Sequence, residues 1–177
     1  MFKKVSGLSG IVVVTAMLSA CTSNDSFTVK MNQVSPSGVG AELGTITISA
    51  ASGGGVEFTP NLHDLVPGEH GFHIHENPSC DPGSKNGVMV AALAAGGHYD
   101  PDKTDTHQGP DGNGHLGDLP RLTVDDKGFS KIPVVAKRLK LSDLKGRSLM
   151  IHSGGDNYSD NPPMGGGGSR IACGVIK

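Results

Sequence analysis

Tryptophan is absent from the 177 residues, and only 2 Tyr and 5 Phe accompany them. A core must therefore be assembled from Val, Ile, Leu, Ala and Met. Charge is sparse and balanced, 15 Lys plus Arg against 17 Asp plus Glu, and no long basic run or basic helix occurs. Nucleic acid and other polyanions accordingly rank low as partners. Also missing are a Gly-x-Gly-x-x-Gly after a strand pattern, a phosphate-binding loop, an internal repeat and any amphipathic helical stretch of useful length. The four glycines 165–168 follow Pro162-Pro163 and lack the Lys and Ser/Thr of a phosphate loop, so they read as surface loop. What is abundant is turn chemistry: 27 Gly and 11 Pro in a length that fits one ordinary domain.

The first twenty residues stand apart. Lys3 and Lys4 precede an uncharged stretch over residues 5–20 that contains Ile11-Val12-Val13-Val14. This has the form of an export signal, too short for a good spanning helix. It ends in Leu18-Ser19-Ala20-Cys21, the form of a lipoprotein signal in which Cys21 becomes the acylated first residue; an ordinary secretory signal that happens to contain a Cys is the alternative. Both readings place the working protein outside the cytoplasm. The chain thus divides into a signal at 1–20, a short tether at 21–26 and one domain at 27–177. Loss of Lys3 and Lys4 leaves thirteen basic against seventeen acidic side chains. With Cys21 assigned to lipid, Cys80 and Cys173 remain, and an oxidising compartment favours one disulfide between them. Free thiols or cysteine metal ligands are the alternatives.

Period-two alternation marks strands at Phe27, Val29 and Met31, at Ile46 and Ile48, and at Val56 and Phe58. Further candidates lie near 69–76, 121–125, 130–137, 146–152 and 169–175, eight segments in all. Val66-Pro67-Gly68 signals a turn and Asp125-Asp126-Lys127-Gly128 a hairpin turn. Two stretches, about 77–120 and 153–168, fit neither strand nor helix, and loops of that length usually serve a function. The expected fold is all-β, an antiparallel barrel or sandwich with two long functional loops.

Six of the eight histidines carry the chemistry. In His73-Ile74-His75 the strand period puts both imidazoles on one face. His98, His107, His115 and Asp118 fall in one Gly/Asp-rich loop, and His152 ends a later strand. A purely imidazole set suits copper, whereas histidines plus one carboxylate suit structural zinc. If His98 served both, His73, His75, His98 and His152 would hold copper, and His98, His107, His115 and Asp118 would hold zinc. His63 and His70 are surplus to this arrangement and read as structural or solvated. Tyr99 and Tyr158 could pack against the zinc and active-site loops.

Taken together, the segments Gly71-Phe72-His73-Ile74-His75-Glu76, Gly96-Gly97-His98-Tyr99-Asp100-Pro101, His107-Gln108-Gly109-Pro110, Gly114-His115-Leu116-Gly117-Asp118-Leu119-Pro120, His152-Ser153-Gly154-Gly155-Asp156 and Gly167-Gly168-Ser169-Arg170-Ile171-Ala172-Cys173-Gly174-Val175-Ile176 resemble the bacterial copper,zinc superoxide dismutases over almost the whole mature chain. The resemblance implies an eight-stranded Greek-key barrel of immunoglobulin-like sandwich type. It implies disproportionation of superoxide to dioxygen and hydrogen peroxide by alternate reduction and oxidation of copper, with His98 as a bridging and protonatable ligand. It further implies that Asp156 links the two metal sites from behind, and that Arg170 captures the anionic substrate. Because the mature chain is net negative, local cations must steer superoxide; Lys103, Lys137 and Lys145 are candidates that the sequence does not place. The expected location is the periplasm of a Gram-negative bacterium, with attachment to the outer membrane through Cys21 favoured by Thr22 in the second mature position. A homodimer is compatible with the resemblance. A metal carrier using the same ligands and a structural lipoprotein stapled by metal are the competing readings.

Overall fold

The structure, a computed structural model, describes residues 26–177. The signal at 1–20, Cys21 and nearly all of the tether lie outside the described residues. Eleven strands follow in chain order: β1 (Ser26–Ser35), β2 (Gly38–Ala50), β3 (Val56–Leu62), β4 (Gly68–His70), β5 (Phe72–His75), β6 (Gly83–Lys85), β7 (Val88–Val90), β8 (Leu122–Val124), β9 (Val134–Ala136), β10 (Arg147–His152) and β11 (Arg170–Ile176). Among the described residues, helical structure is confined to three short 3-10 turns. None is long and apolar enough to cross a membrane.

Seven strands form one antiparallel sheet in the order β5-β10-β11-β1-β2-β3-β9, and β4-β8 and β6-β7 form two-stranded ribbons. The hairpin-connected β1, β2 and β3 with β11 returning beside β1 give the Greek-key arrangement, and the sheet curls into an open half-barrel. Alternation in the sequence becomes alternation in burial: Val29, Met31, Ile46, Ile48, Val56, Phe58 and Leu62 all face inward. Phe58 meets Phe72 edge to face at a centroid distance of 5.5 Å, the only aromatic ring pair among the core phenylalanines recorded in the described residues. In a core this poor in aromatics, each such buried side chain contributes about 1.5–3 kcal/mol.

The eight expected segments are present, with differences that have local causes. The segment 69–76 is two strands because its partner changes at Gly71: β4 pairs with β8 and β5 with β10. Gly71 already bonds on the β10 side, its carbonyl accepting from the His152 N–H at 2.9 Å and its N–H donating to the Gly154 carbonyl at 2.8 Å. The turn at Asp125–Gly128 forms, with the Asp125 carboxylate accepting from the backbone N–H groups of Lys127 and Phe129, both at 2.9 Å. It does not build a hairpin between its flanking strands, since β8 pairs with β4 and β9 pairs with β3. Nor is 77–120 free of regular structure: it contains the β6-β7 hairpin.

A smaller apolar cluster of Val34, Ala91, Ala92, Ala95, Met150 and Cys173 lies beneath this loop, with Cys80 packed against it. Cys80 and Cys173 are disulfide-bonded, their Cα atoms 5.7 Å apart. The bond ties the start of the long loop to β11.

Candidate metal centre

All four residues of β5 are buried. Its pleat sends Phe72 and Ile74 into the core and His73 and His75 to the opposite face. One edge of β5 pairs with β10, and the other is free of strands, so the long loop docks along it. The Ile74 N–H donates to the Gly117 carbonyl at 2.9 Å, Tyr99 N–H to the Ile74 carbonyl at 2.8 Å, and Leu119 N–H to the Phe72 carbonyl at 3.2 Å. This places His98 opposite His75 and Asp118 opposite His73. Gly117 is required by the close approach: a Cβ there would lie 2.4 Å from the Ile74 oxygen. His152 enters from the end of β10, where a register shift after Ile151 leaves it opposite Arg170. Such irregularities re-aim a side chain at the end of a strand.

Two groups of ligand-bearing side chains result, His73, His75, His98 and His152 in one and His98, His107, His115 and Asp118 in the other, each with its donor atoms within 4.8 Å of one another. His73 stacks on His98 at 3.9 Å between centroids, and His152 meets His73 edge-on at 4.8 Å. On the other side, His98 Nδ1 lies 2.9 Å from Asp118 Oδ1, and His107 Nε2 lies 3.2 Å from His98 Nδ1. His98 therefore presents one nitrogen to each group.

The donor set tests whether metals fit. His73 Nδ1, His75 Nε2, His98 Nε2 and His152 Nε2 are buried with no hydrogen-bond partner, as are His115 Nδ1 and Asp118 Oδ2 in the second group. An unsatisfied buried polar group costs about 1–3 kcal/mol, and the five unpartnered imidazole nitrogens, all on residues of the two groups, are accounted for by two cations. Four imidazoles suit copper, and three imidazoles with a carboxylate suit zinc.

The opposite ring atoms are held in place. Asp156 Oδ2 lies 2.6 Å from His73 Nε2, and the Gly96 carbonyl accepts from His75 Nδ1 at 3.0 Å. The resemblance implies that Asp156 links both groups, but its recorded hydrogen bond to a ligand is to His73. On the zinc side, Asp160 accepts from His107 Nδ1 at 2.8 Å and from the His107 backbone N–H at 3.0 Å. Asp160 was not among the residues singled out from sequence, and in an Asn/Asp-rich loop no spacing distinguishes it.

His70 is buried, with Nδ1 2.6 Å from the His152 carbonyl and Nε2 2.7 Å from the Val66 carbonyl. It braces the backbone of His152. His63 is half-buried beside the exposed Asp64, with Nδ1 2.8 Å from its carboxylate.

Arg170 lies at the mouth of the first group. Its Nη1 donates to the Ala92 carbonyl at 2.5 Å and its Nη2 to the Gly96 carbonyl at 2.7 Å, so Arg170 and His75 share one acceptor. A cleft of about 520 Å³ opens here, with Lys85, Met89, Leu93, His152, Ser169 and Arg170 among its lining. Lys85 is thus a cation at the cleft that sequence reasoning did not name, whereas Lys137 lies 3.9 Å from Asp111.

Burial and mutual repulsion hold His73, His75 and His98 well below the ordinary imidazole value, and burial pushes His152 down to about 4. Burial raises the carboxyls of Asp118 and Asp156. For the metal-free protein the linkage has a definite sign. Below about pH 6.5 the unfolded chain binds protons at these histidines that the folded chain refuses, so stability is lost as the pH is lowered. The two raised carboxyls act oppositely, since the folded chain takes up their protons first. With four histidines against two carboxyls, the urea midpoint of metal-free protein is expected to fall between pH 7 and pH 5; a flat or rising midpoint would contradict this balance.

The family description "Copper/zinc superoxide dismutase (SODC)" matches residues 42–176. A superoxide dismutase [Cu-Zn] of Brucella abortus is 59% identical over 155 residues, covering 86% of this chain and 89% of the relative. Superoxide dismutase [Cu-Zn] 2 of Salmonella typhimurium is 54% identical over 169 residues, covering 94% and 97%. Among solved structures, the Cu/Zn superoxide dismutase from Brucella abortus superposes with a TM-score of 0.84 at 59% identity, over 86% of this chain and 100% of that one. The solution structure of the monomeric copper, zinc enzyme from Salmonella enterica gives 0.78 at 57% identity, again over 86% and 100%.

Proposed function

The chain belongs to the copper/zinc superoxide dismutase family, and from that premise we propose that His73, His75, His98 and His152 hold copper, that His98, His107, His115 and Asp118 hold zinc, and that Arg170 receives the substrate. The activity is disproportionation of superoxide to dioxygen and hydrogen peroxide. The observation that carries the assignment is the sharing of His98 between two clusters in which five imidazole nitrogens are buried without a hydrogen-bond partner. When bound, copper supplies the alternating one-electron exchange with superoxide, and zinc supplies positive charge and a fixed hold on His98.

The chain's own residues do the rest. His98 can take up and return a proton at Nε2 while Nδ1 stays held among His107, His115 and Asp118. Asp156 accepts from His73 Nε2, which fixes the ring and directs Nδ1 inward. Arg170 spends one N–H on Ala92 and one on Gly96, which leaves the remaining donors of its planar fork for a small anion beside His152.

A hydrogen bond to a charged group is worth about 1.5–3 kcal/mol. Arg170→Ala is therefore expected to lower kcat/KM by roughly ten- to a hundredfold, with copper and zinc contents unchanged. An unaltered rate at low ionic strength would remove Arg170 from the site.

The protein works in the periplasm, and the sequence around Cys21 supports lipid attachment at the outer membrane. Cys21→Ser is expected to move active protein from the membrane fraction to the soluble periplasmic fraction. An unchanged distribution would favour the ordinary secretory signal.

A further inference from the structure

The segment 156–160 of the active-site loop carries a carboxylate at each end, and the two serve different clusters: Asp156 meets His73, and Asp160 meets His107. Midway between them stands Tyr158, half-buried, with φ +60. A residue with a bulky side chain adopts this left-handed conformation only where surrounding contacts hold it.

Those contacts come from three elements. The backbone N–H of Tyr158 donates to Asp156 Oδ1 at 2.7 Å, which leaves Oδ2 for His73. The phenol oxygen accepts from the backbone N–H of Arg121, just before β8, at 3.1 Å, and the Arg121 guanidinium lies 5.3 Å from the ring centroid. The ring packs on Gly109, in the loop that carries His107 and His115; a Cβ at Gly109 would lie 2.9 Å from Tyr158 Cγ. Gly109 has φ +72, so glycine is required there both by conformation and by the ring above it.

Building on the assignment of copper and zinc to the two clusters, we infer that Tyr158 is a positioning residue for both metals: it pins the segment 156–160 between the barrel and the zinc loop so that Asp156 and Asp160 each orient one ligand histidine. Tyr158 touches neither cluster. It acts through Asp156 on His73 and, by fixing the segment, through Asp160 on His107.

The test uses disulfide-intact protein loaded with copper and zinc. Zinc affinity is measured by competition with a chromogenic chelator, and the copper environment by the visible absorption band of bound Cu(II). Removing partners that orient metal ligands typically costs ten- to a hundredfold in affinity. Tyr158→Ala is expected to weaken zinc binding by about tenfold or more and to displace the copper band, with Tyr158→Phe, which loses the bond to Arg121, intermediate. Against an Asp156→Asn background, Tyr158→Ala should displace the copper band no further, because residues acting through one another are non-additive. Asp160→Asn, at an exposed position away from the core, should weaken zinc binding while leaving the copper band in place.

Additive effects, or a lowered melting temperature with both metals held and the copper band unmoved, would reduce Tyr158 to loop packing and overturn the inference. These readouts do not depend on turnover. A wild type that binds both metals without dismutating superoxide would defeat the functional reading and still leave the role of Tyr158 decided.

Discussion

His98→Ala is expected to lower dismutation at least a hundredfold and to release metal from both clusters, because His98 is the residue they have in common. Partners that merely orient a ligand already account for ten- to a hundredfold effects, and a shared ligand must exceed them. The fold should survive. What docks the loop against β5 is backbone pairing, including Tyr99 N–H to the Ile74 carbonyl at 2.8 Å, which needs no imidazole at 98. In the metal-free protein the substitution also removes a buried nitrogen without a partner and relieves the repulsion it shares with His152, His107 and His115. The stability difference from wild type should therefore be large with metals bound and small without them. Thermal melts of both forms, with metal analysis of each sample, measure it; equal losses in both forms would mean that His98 is chiefly a packing residue.

Cys173→Ser is expected to have the largest effect on stability. The disulfide closes a sequence separation of 93 residues. A chain-entropy treatment of such a closure gives about 4–5 kcal/mol, a large share of the total stability of a domain this size. The consequence for function follows from what the loop carries. Ala92 and Gly96, whose carbonyls grip Arg170, lie on the segment that Cys80 anchors, and Arg170 is on the same strand as Cys173. Freed from the strand, the segment no longer holds the guanidinium at the mouth of the cleft. The variant should lose activity at temperatures where the barrel remains folded, and its guanidinium chloride midpoint should fall well below that of wild type. Full activity in a folded, reduced protein would show that the loop stays in place through its apolar contacts alone.

The barrel strands were legible because one face of each is buried, and period two then writes burial directly into the sequence, as at Val56, Phe58 and Leu62. His73 and His75 were legible for the same reason. The ligands in the long loop were legible only as a set, since no local period places His107 or His115; donor type suggested their partition on the condition that His98 is shared, and the resemblance implied that condition. The β6-β7 hairpin was not read, although Asn86-Gly87 at its tip, with φ values of 53 and 79, is a strong hairpin turn signal. Its flanks explain the omission: Gly83-Ser84-Lys85 has no strand-forming character, and Val88 and Met89 are exposed. Asp160, Lys85 and the bracing role of His70 were hidden for another reason. Each depends on which loop meets which across the fold, and that is a tertiary fact with no signature in spacing.

Stopped-flow decay of superoxide is the measurement closest to the central claim. It should be made with mature, disulfide-intact protein whose copper and zinc contents are determined on the same sample, alongside His73→Ala. The expected result is rapid decay in proportion to copper occupancy and its loss in the variant. Full occupancy of both clusters without accelerated decay would contradict the dismutase assignment and leave an envelope metal carrier in its place.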